Sequence, residues 1–193
     1  GAFNIANAAL ALTATARCGV DVAAAAAGMT DCRVPGRMEA VEAGQSFLAV
    51  VDFAHTPEAV ATALTALRER TSGRLITVLG CGGDRDRAKR PVMGRVAAER
   101  SDVLVVTDDN PRGEDPATIR DAVAEGAASV STVELHVVGD RAAAIDQAVR
   151  TARAGDTVAL LGKGHEQGQE IAGVTHPFDD RIALREAITA VHA

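Results

Sequence analysis

The chain has 193 residues, 47% of them hydrophobic, with four Phe, no Trp, no Tyr and a net charge of -6 at pH 7. This length and hydrophobic content allow one medium-sized domain with a substantial core, together with part of a second domain. The scarcity of aromatic residues argues against a surface that stacks single-stranded bases, and the acidic balance argues against nucleic acid or an anionic membrane as a partner.

Two Ala-rich helical patterns open the chain, at residues 3–19 and 21–28, and each ends at a glycine. A Pro-Gly pair at 35–36 then interrupts the pattern in a segment that is typical of a linker. The chain starts at Gly1 without a Met, inside what looks like the start of a helix. We therefore expect the sequence to be a piece of a longer protein, and residues 1–36 to be the end of a preceding domain.

Strands and helices alternate through the rest of the chain, residues 37–193. Continuously apolar strands are predicted at residues 46–53, 74–80, 102–108, 133–138 and 156–162. Helices are predicted at residues 56–70, 91–100, 115–128, 140–152 and 179–193. Buried strands that are separated by helices indicate a parallel sheet covered on both faces. We therefore predict an α/β domain with a doubly wound, mostly parallel, Rossmann-like sheet and helices on both faces, preceded by the short helical part.

Four polar segments each follow one of these strands, and the ligands of such sheets bind beyond the carboxyl ends of the strands. The segments are residues 52–57 (DFAHTP), 80–91 (GCGGDRDRAKRP), 107–116 (TDDNPRGEDP) and 162–170 (GKGHEQGQE). Because the carboxyl ends of parallel strands share one edge of the sheet, we expect the four segments to meet there. The sequence therefore predicts a site at this edge, whereas the loops at the opposite edge are ordinary connectors.

The segment at 80–91 combines three glycines with four cationic side chains, which are Arg85, Arg87, Lys89 and Arg90. Glycines allow a ligand to approach the backbone closely, and the N-terminus of the following helix attracts anions. The spacing matches neither the phosphate-binding pattern G-x-x-x-x-G-K-[ST] nor the dinucleotide pattern G-x-G-x-x-G. The pattern favours an anion site, with a solvated basic loop as the alternative.

The segment at 109–112 (DNPR) places a carboxylate, an amide and a guanidinium within four residues that Pro111 stiffens. Arg112 can bind a carboxylate through two parallel hydrogen bonds, and Asp109 can accept hydrogen bonds from an ammonium. This combination suits the zwitterionic head of an amino acid. The alternative is a solvated turn, in which Asp and Asn only shape the backbone.

The segment at 162–166 (GKGHE) offers His165 and Glu166, but no second His or Cys lies at ligand spacing, which argues against a metal site. Backbone groups around the two glycines, together with the Glu166 carboxylate, suit an ammonium better. His55 in the first polar segment has no Ser or Cys at a nucleophile elbow, which argues against a hydrolytic triad.

The remaining histidines and the three cysteines show no site pattern. We predict structural or surface histidines and reduced thiols at His136, His176, His192, Cys18, Cys32 and Cys81. No apolar run approaches the roughly 20 residues that span a bilayer. These features predict a cytoplasmic protein without membrane insertion.

Six segments, in order along the chain, resemble motifs of the Mur ligase family. They are GAFNIANA, VPGRME, VVDFAHTPEA, GCGGDRDRAKRP, TDDNPRGEDP and GKGHE. The resemblance covers the whole chain and implies that residues 1–36 end the family's central ATPase domain, whereas residues 37–193 form its C-terminal amino-acid-binding domain. It implies a ligase that uses ATP and Mg²⁺ to join an acid to an amino acid. The phosphate loop, the magnesium ligands and the UDP-sugar domain would precede Gly1, so neither catalytic residues nor metal ligands are expected within this chain.

The resemblance also implies a substrate, since DNPR resembles the family's recognition motif for meso-diaminopimelate. Relatives that add lysine carry a different residue at the position of Arg112. The residues that would bind diaminopimelate are Arg85, Asp109, Asn110, Pro111, Arg112, Gly162 and Glu166, with Arg85 on the carboxylate near the reacting amine. The residues that would face ATP are Asn4, Asn7, Arg37, Asp52, His55 and Lys89. Phe53 stands where Tyr is common in the family, so any hydroxyl contact at that position is lost.

The implied reaction joins meso-diaminopimelate to the D-glutamate carboxylate of UDP-MurNAc-L-Ala-D-Glu during synthesis of the peptidoglycan precursor. This chain would supply the amino-acid pocket and one wall of the ATP site, and would be inactive by itself. Two alternatives stay open. One is a sibling ligase that adds lysine or glutamate, and the other is a non-catalytic α/β module that binds an amino acid or a nucleotide.

Overall fold

The computed structural model describes residues 2–30 and 34–192, and the chain divides into two compact units, Gly1–Val34 and Pro35–Ala193. The boundary predicted from the sequence lies two residues further along the chain. No helix within the described residues has both the length and the apolar character needed to cross a membrane.

The first unit contains α1 (Ala2–Arg17) and α2 (Val22–Met29). The Asp21 carboxylate caps α2 by accepting a hydrogen bond of 2.8 Å from the amide of Ala24. Gly19 follows α1 with a φ of 80°, a backbone conformation that commonly ends helices. Gly28 does not adopt that conformation, and α2 therefore continues one residue past the end predicted from the sequence.

The second unit is built on a six-stranded sheet. Its strands are β1 (Glu39–Ala40), β2 (Leu48–Asp52), β3 (Leu75–Cys81), β4 (Val103–Asp108), β5 (Glu134–Val137) and β6 (Thr157–Leu161). Their order across the sheet is β1-β2-β6-β3-β4-β5, and every neighbouring pair is parallel except β1 with β2. The predicted doubly wound, mostly parallel sheet is confirmed, with the short β1 as an addition that the sequence did not predict.

Five helices surround this sheet. They are α3 (Pro57–Arg68), α4 (Lys89–Ala98), α5 (Pro116–Ala128), α6 (Arg141–Thr151) and α7 (Asp180–His192). Side chains cap three of them, since Thr56, Asp115 and Asp140 each accept a hydrogen bond from an amide in the first turn. Proline occupies the first position of α3 and α5, where its missing amide hydrogen costs nothing. The predicted helices thus begin where their capping residues indicate, and α4 begins two residues earlier than predicted.

The strands alternate their side chains between two hydrophobic cores. In β4, Leu104 and Val106 belong to the core that also contains residues of α3, α4 and α5, whereas Val103 and Val105 belong to the core that contains residues of α6 and α7. All four side chains are at most 2% exposed. Both faces of the sheet are therefore filled, and ligands can reach the sheet only at its edges.

A two-stranded hairpin, β7 (Gly168–Ile171) and β8 (Val174–Pro177), follows the last strand of the sheet and was not predicted. Its residues are exposed or only partly buried, so it lacks the continuous apolar run of the buried strands. Ala172 and Gly173 form its turn with φ values of 50° and 77°.

The strand order fixes how the four polar segments meet. Because β6 is inserted between β2 and β3, the loop at 162–166 lies between the loop after β2 and the loop after β3. The loop after β4, residues 109–115, lies next to the loop after β3 on its far side. The segments thus share one edge, as the strand pattern predicted.

Candidate functional site

The centre of the edge is a buried lysine that the sequence analysis did not single out. Lys163 is 0% exposed. Its Nζ atom donates hydrogen bonds to Asp109 Oδ1 at 3.3 Å, Asn110 Oδ1 at 3.3 Å, Glu166 Oε2 at 3.4 Å and the Gly168 carbonyl at 2.7 Å. We call Asp109, Asn110, Lys163 and Glu166 the acidic network. It joins the loops after β4 and β6.

The acidic network fixes the orientation of the Asn110 amide. Its Oδ1 accepts from Lys163 and from the Glu170 amide at 2.9 Å, so its Nδ2 must face the carboxylates. Nδ2 donates to Glu166 Oε2 at 2.9 Å and to Asp109 Oδ1 at 3.3 Å. Among the described residues, Glu166 Oε1 and Asp109 Oδ2 have no hydrogen-bond partner. Two carboxylates around one ammonium leave one net negative charge, which suits a ligand that brings one cationic group.

Arg112 lies beside the acidic network in an unusual backbone conformation. Its φ of 52° is left-handed, which is uncommon outside glycine and is often found at binding sites. The backbone is held there because the Arg112 amide donates to the Glu170 carbonyl at 2.9 Å and the Ala172 amide donates to the Arg112 carbonyl at 2.7 Å. Nη1 of the guanidinium donates to the Gly83 carbonyl at 2.8 Å, and Nε lies 3.4 Å from Glu170 Oε2. Nη2 has no partner among the described residues, so one side of the guanidinium can still meet an anion.

The loops after β3 and β4 are tied together by backbone contacts. The Gly83 amide donates to the Asn110 carbonyl at 2.8 Å, and the Gly113 amide donates to Asp84 Oδ2 at 3.0 Å. A Cβ atom on Gly83 would overlap the carbonyl of Pro111, so only glycine allows this approach. The buried Pro111 therefore supports the loop by packing.

The arginines of the basic segment after β3 have two roles that the sequence pattern does not distinguish. Some pair with Glu114, and Arg85 stays available to a ligand. Arg90 is 2% exposed and binds both oxygens of Glu114, at 2.7 and 3.1 Å, and Arg87 reaches the same carboxylate at 3.0 Å. The Arg90 hydrogen bonds and the Asp84 amide lower the pKa of Glu114 to about 2. Arg90 is thus committed to a buried ion pair and is not free for an anion, which corrects part of the expectation for 80–91, whereas Arg87 pairs with Glu114 from an exposed position. Arg85 is exposed and donates only to the Asp84 carbonyl at 3.1 Å, so its guanidinium stays available.

A second group of side chains lies on the other side of the 162–166 loop. Phe53 is its centre. The Arg37 guanidinium lies 4.4 Å above the Phe53 ring, and the rings of His55 and His165 have centroids 4.6 and 5.5 Å from it. Lys89 Nζ donates to the His55 carbonyl at 2.9 Å. We call these five residues the basic–aromatic cluster. It offers cations and an aromatic surface, which suit a phosphate-bearing ligand with a planar ring.

Asp52 binds the backbone next to the basic–aromatic cluster. Its two carboxylate oxygens accept hydrogen bonds from the amides of Met38 at 2.7 Å and Ala54 at 2.9 Å. Burial raises the pKa of Asp52, against the effect of these hydrogen bonds and of Arg37. Both oxygens already have donors, so the geometry gives Asp52 a positioning role, and its predicted contact with ATP stays a prediction.

Glycines let the backbones in this region approach closely. Gly162 has a φ of 113° and donates to the Asp52 carbonyl at 3.1 Å. Gly164 has a φ of 55°, and a Cβ atom there would lie 2.7 Å from Phe53 Cβ. A Cβ atom on Gly36 would overlap the backbone of Gly164 and His165. The supposed linker around 35–36 is therefore packed onto the 162–166 loop.

Two predicted ATP residues belong to the first unit. Asn7 lies on α1 with an exposed side chain, and the side chain of Asn4 falls outside the described residues. Their contact with ATP stays a prediction.

None of the cysteines or the other histidines that the structure describes belongs to either group. Burial raises the pKa of Cys81 to about 12, Cys18 is exposed, and Cys32 falls outside the described residues. His136 pairs with Glu134 at the surface. His176 is exposed, and the His192 side chain is outside the described part. No group of three or more His, Cys, Asp or Glu in the described part of the chain is arranged to hold a metal ion.

A fully buried ion pair supports the ends of the strands. Arg141 and Asp180 are each 0% exposed in their side chains and are joined by hydrogen bonds of 2.7 Å. Arg141 also donates to the carbonyls of Asp108 at 3.3 Å and Leu161 at 3.1 Å, the last residues of β4 and β6. No local sequence pattern indicates this pair, because the two residues are 39 positions apart in the chain.

A surface cavity of about 440 Å³ lies at the opposite edge of the sheet. Four of its five charged lining residues already form ion pairs, Arg68 with Asp102 at 2.6 Å and Arg100 with Glu99 at 3.0 Å. None of the residues that line it belongs to the acidic network or the basic–aromatic cluster. The candidate site is therefore the open edge and not this cavity.

Known proteins resemble the chain in both sequence and structure. Residues 36–164 match a family profile described as Mur ligase, glutamate ligase domain. A protein from Corynebacterium efficiens named UDP-N-acetylmuramoyl-L-alanyl-D-glutamate--2,6-diaminopimelate ligase is 56% identical over 193 residues, which covers 97% of this chain and 37% of that protein. A protein of the same name from Streptomyces avermitilis is 55% identical over 192 residues, covering 97% and 38%.

A solved structure of a ligase with that name is 42% identical and has a TM-score of 0.79, with 100% of this chain and 39% of that chain covered. The chain thus spans well under half the length of the relatives that it matches. The family profile extends over most of the second unit, from the turn at Gly36 to the loop that contains Lys163. On this basis the chain belongs to the Mur ligase family.

Proposed function

We propose that this chain is the amino-acid-binding part of a cytoplasmic, ATP-dependent ligase that adds meso-diaminopimelate to UDP-MurNAc-L-Ala-D-Glu in peptidoglycan precursor synthesis. The observation that carries the proposal is the acidic network beside Arg112. The network has one net negative charge and two free carboxylate oxygens, and the guanidinium next to it has a free side. An amino-acid head carries the matching ammonium and carboxylate. The names of the relatives support the same substrate.

In this proposal the distal head of diaminopimelate binds between the acidic network and Arg112. Its ammonium meets Glu166 Oε1 and Asp109 Oδ2, and its carboxylate meets Arg112. Asn110 holds the Glu166 and Asp109 carboxylates in position, because its amide is oriented by Lys163. The exposed Arg85 holds the other carboxylate, next to the amine that reacts. Lysine lacks the distal carboxylate and so would offer Arg112 no partner of its own.

The ATP wall in this proposal is the basic–aromatic cluster, with Arg37, His55 and Lys89 towards ribose and phosphates. The resemblance adds Asn4 and Asn7 as the residues that contact adenine. Magnesium does not fit the acidic network, because the Lys163 ammonium already lies between its carboxylates. We therefore propose that Mg²⁺ is held by residues of the full-length ligase that lie outside this chain.

The proposed reaction converts the D-glutamate carboxylate into an acyl phosphate at the expense of ATP. The amine of diaminopimelate then attacks the acyl carbon through a tetrahedral intermediate, and phosphate leaves. The residues of this chain contribute by fixing the amine relative to the acyl phosphate. Positioning of two reactants in this way can lower a barrier by up to about 7–11 kcal/mol.

The test uses the full-length ligase and the variant Arg112→Ala. Truncating one partner of a buried, hydrogen-bonded charge pair costs about 2–5 kcal/mol. We expect that loss in kcat/KM for diaminopimelate, with little change for lysine or in the KM for ATP. Arg112→Lys should restore only part of the loss, because an ammonium lacks the planar pair of donors.

A matched control is Arg153→Ala, since Arg153 is exposed and lies in the turn before β6, at the opposite edge of the sheet. It should leave both substrates unaffected. If the ratio of kcat/KM for diaminopimelate and lysine stays constant in Arg112→Ala, then Arg112 is a solvated turn residue and the proposed pocket is wrong.

A further inference from the structure

We propose that Glu170 is a specificity-determining residue that competes with the substrate carboxylate for Arg112. This inference rests on the proposed function and adds a residue to the same pocket. It concerns the β7–β8 hairpin, which lies after residue 164, where the match to the family profile ends.

The hairpin is attached directly to the DNPR loop. Ile171 forms a parallel bridge with Arg112, through the two backbone hydrogen bonds described above. Gln169 Nε2 donates to the Asp109 carbonyl at 2.8 Å, and the Glu170 amide donates to Asn110 Oδ1 at 2.9 Å. β7 therefore acts as a short extra strand along the loop that would select the amino acid, and it brings the Glu170 side chain to the guanidinium.

Arg112 does not need the Glu170 carboxylate to be positioned. Its backbone is fixed by main-chain hydrogen bonds that any side chain at 170 would allow. Its guanidinium is anchored through Nη1 by the Gly83 carbonyl at 2.8 Å. The remaining donors, Nε and Nη2, form one edge that can bind a carboxylate with two parallel hydrogen bonds.

Glu170 partly occupies that edge. Its Oε2 lies 3.4 Å from Arg112 Nε, and its side chain is 42% exposed, whereas that of Arg112 is 22% exposed. A carboxylate so loosely held and so exposed can move into solvent when another carboxylate arrives. Glu170 thus neutralises Arg112 in the free pocket, and a substrate carboxylate must displace it. The same exchange would help the carboxylate of the product to leave.

The competition predicts that removing the Glu170 charge improves binding. Exposed ion pairs of this kind are weak, so we expect the KM for diaminopimelate to fall by about two- to fivefold in Glu170→Gln. A positioning role for Glu170 predicts the opposite direction, a higher KM. Lysine cannot displace Glu170, so its KM should not fall.

The experiment measures kcat and KM of the full-length ligase for diaminopimelate and lysine in wild type, Glu170→Gln, Glu170→Ala, Arg112→Ala and the double variant Glu170→Gln/Arg112→Ala. Glu186→Gln is the matched control, because Glu186 is exposed and lies on α7, outside the loops and the hairpin that form the pocket. The proposal expects a lower diaminopimelate KM in both Glu170 variants and no such gain once Arg112 is absent.

An unchanged or higher diaminopimelate KM in the Glu170 variants would overturn the competition, whereas the proposed function would stand as long as the wild-type enzyme ligates diaminopimelate. A gain that persists without Arg112 would also overturn it, since the effect would then be general charge repulsion. A wild-type enzyme that does not accept diaminopimelate would overturn the proposed function, and this inference with it.

Discussion

Replacing Lys163 by Met tests whether the candidate site depends on its buried cation. Met has a similar length and no charge, so the variant removes the ammonium with little change in volume. The Asp109 and Glu166 carboxylates would then face each other without a cation between them. We expect a less stable protein with a damaged amino-acid pocket and an ATP wall that is largely preserved.

The magnitude follows from burial. Removing one partner of a buried ion pair costs roughly 3–5 kcal/mol, because the other charge is left uncompensated. Lys163 is 0% exposed and Asp109 is 10% exposed in its side chain, but Glu166 is 36% exposed and retains some hydration. We therefore expect the free energy of unfolding to fall by about 2–4 kcal/mol. The KM for diaminopimelate should rise by about tenfold or more, the factor that corresponds to ~1.4 kcal/mol.

The assay combines urea denaturation with steady-state kinetics of the full-length ligase. Lys89→Met is the natural counterpart, because Lys89 is the only other lysine in the chain and binds a single backbone carbonyl. It removes the same charge from the basic–aromatic cluster, so it should raise the KM for ATP and spare that for diaminopimelate. If Lys163→Met keeps both its stability and its diaminopimelate KM, the acidic network does not need its cation and our account of the pocket fails.

Three further predictions concern the loops and the chain as a whole. Gly83→Ala should lower the free energy of unfolding by about 1–3 kcal/mol, as overpacking does, and raise the diaminopimelate KM. Gly28→Ala is the control, because a Cβ atom there would meet open space. Equal melting temperatures of the two variants would contradict the reasoning. The Glu114 pKa of about 2 lies below its ordinary 4.5, so the ionised group stabilises the fold above about pH 4.5 and this contribution is lost as the pH falls towards 2. The difference in unfolding free energy between wild type and Glu114→Gln should therefore shrink across that range, and a difference independent of pH would argue against the ion pairs of Glu114. The purified 193-residue chain should neither hydrolyse ATP nor ligate, because its sequence has no phosphate-loop spacing, and any rate above background would refute this.

The sequence predicted the sheet well because its strands are buried on both faces. Residues of β3, from Leu75 to Cys81, are all buried, so the apolar run was continuous and clear. The hairpin β7–β8 escaped prediction for the opposite reason. Its residues are largely exposed and are held by backbone hydrogen bonds to the DNPR loop. Such bonds do not require hydrophobic side chains, so the sequence shows no apolar pattern there.

The location of the site was also predictable from the sequence, whereas the pairing of charged side chains within it was not. The rule that ligands bind beyond the strand ends brought Asp109, Arg112 and Glu166 to one edge, where the structure has them. The burial of Lys163 depends on acceptors at 109–110 as well as on acceptors in its own segment, and no local pattern encodes that. Likewise, Arg90 looked like a free cation until Glu114, which lies 24 positions further along the chain, was placed beside it.

The insertion of β6 between β2 and β3 has a thermodynamic consequence. One short loop, residues 162–166, supplies Lys163 and Glu166 to the acidic network and His165 to the basic–aromatic cluster. Because the same backbone segment carries side chains of both groups, a ligand that shifts it at one group also changes the other. Nucleotide and amino acid should then bind with linkage, each changing the other's affinity by the same factor, as reciprocity requires. Calorimetric titrations of diaminopimelate with and without a non-hydrolysable nucleotide would measure that factor, and Gly164 is the residue through which we expect it to pass.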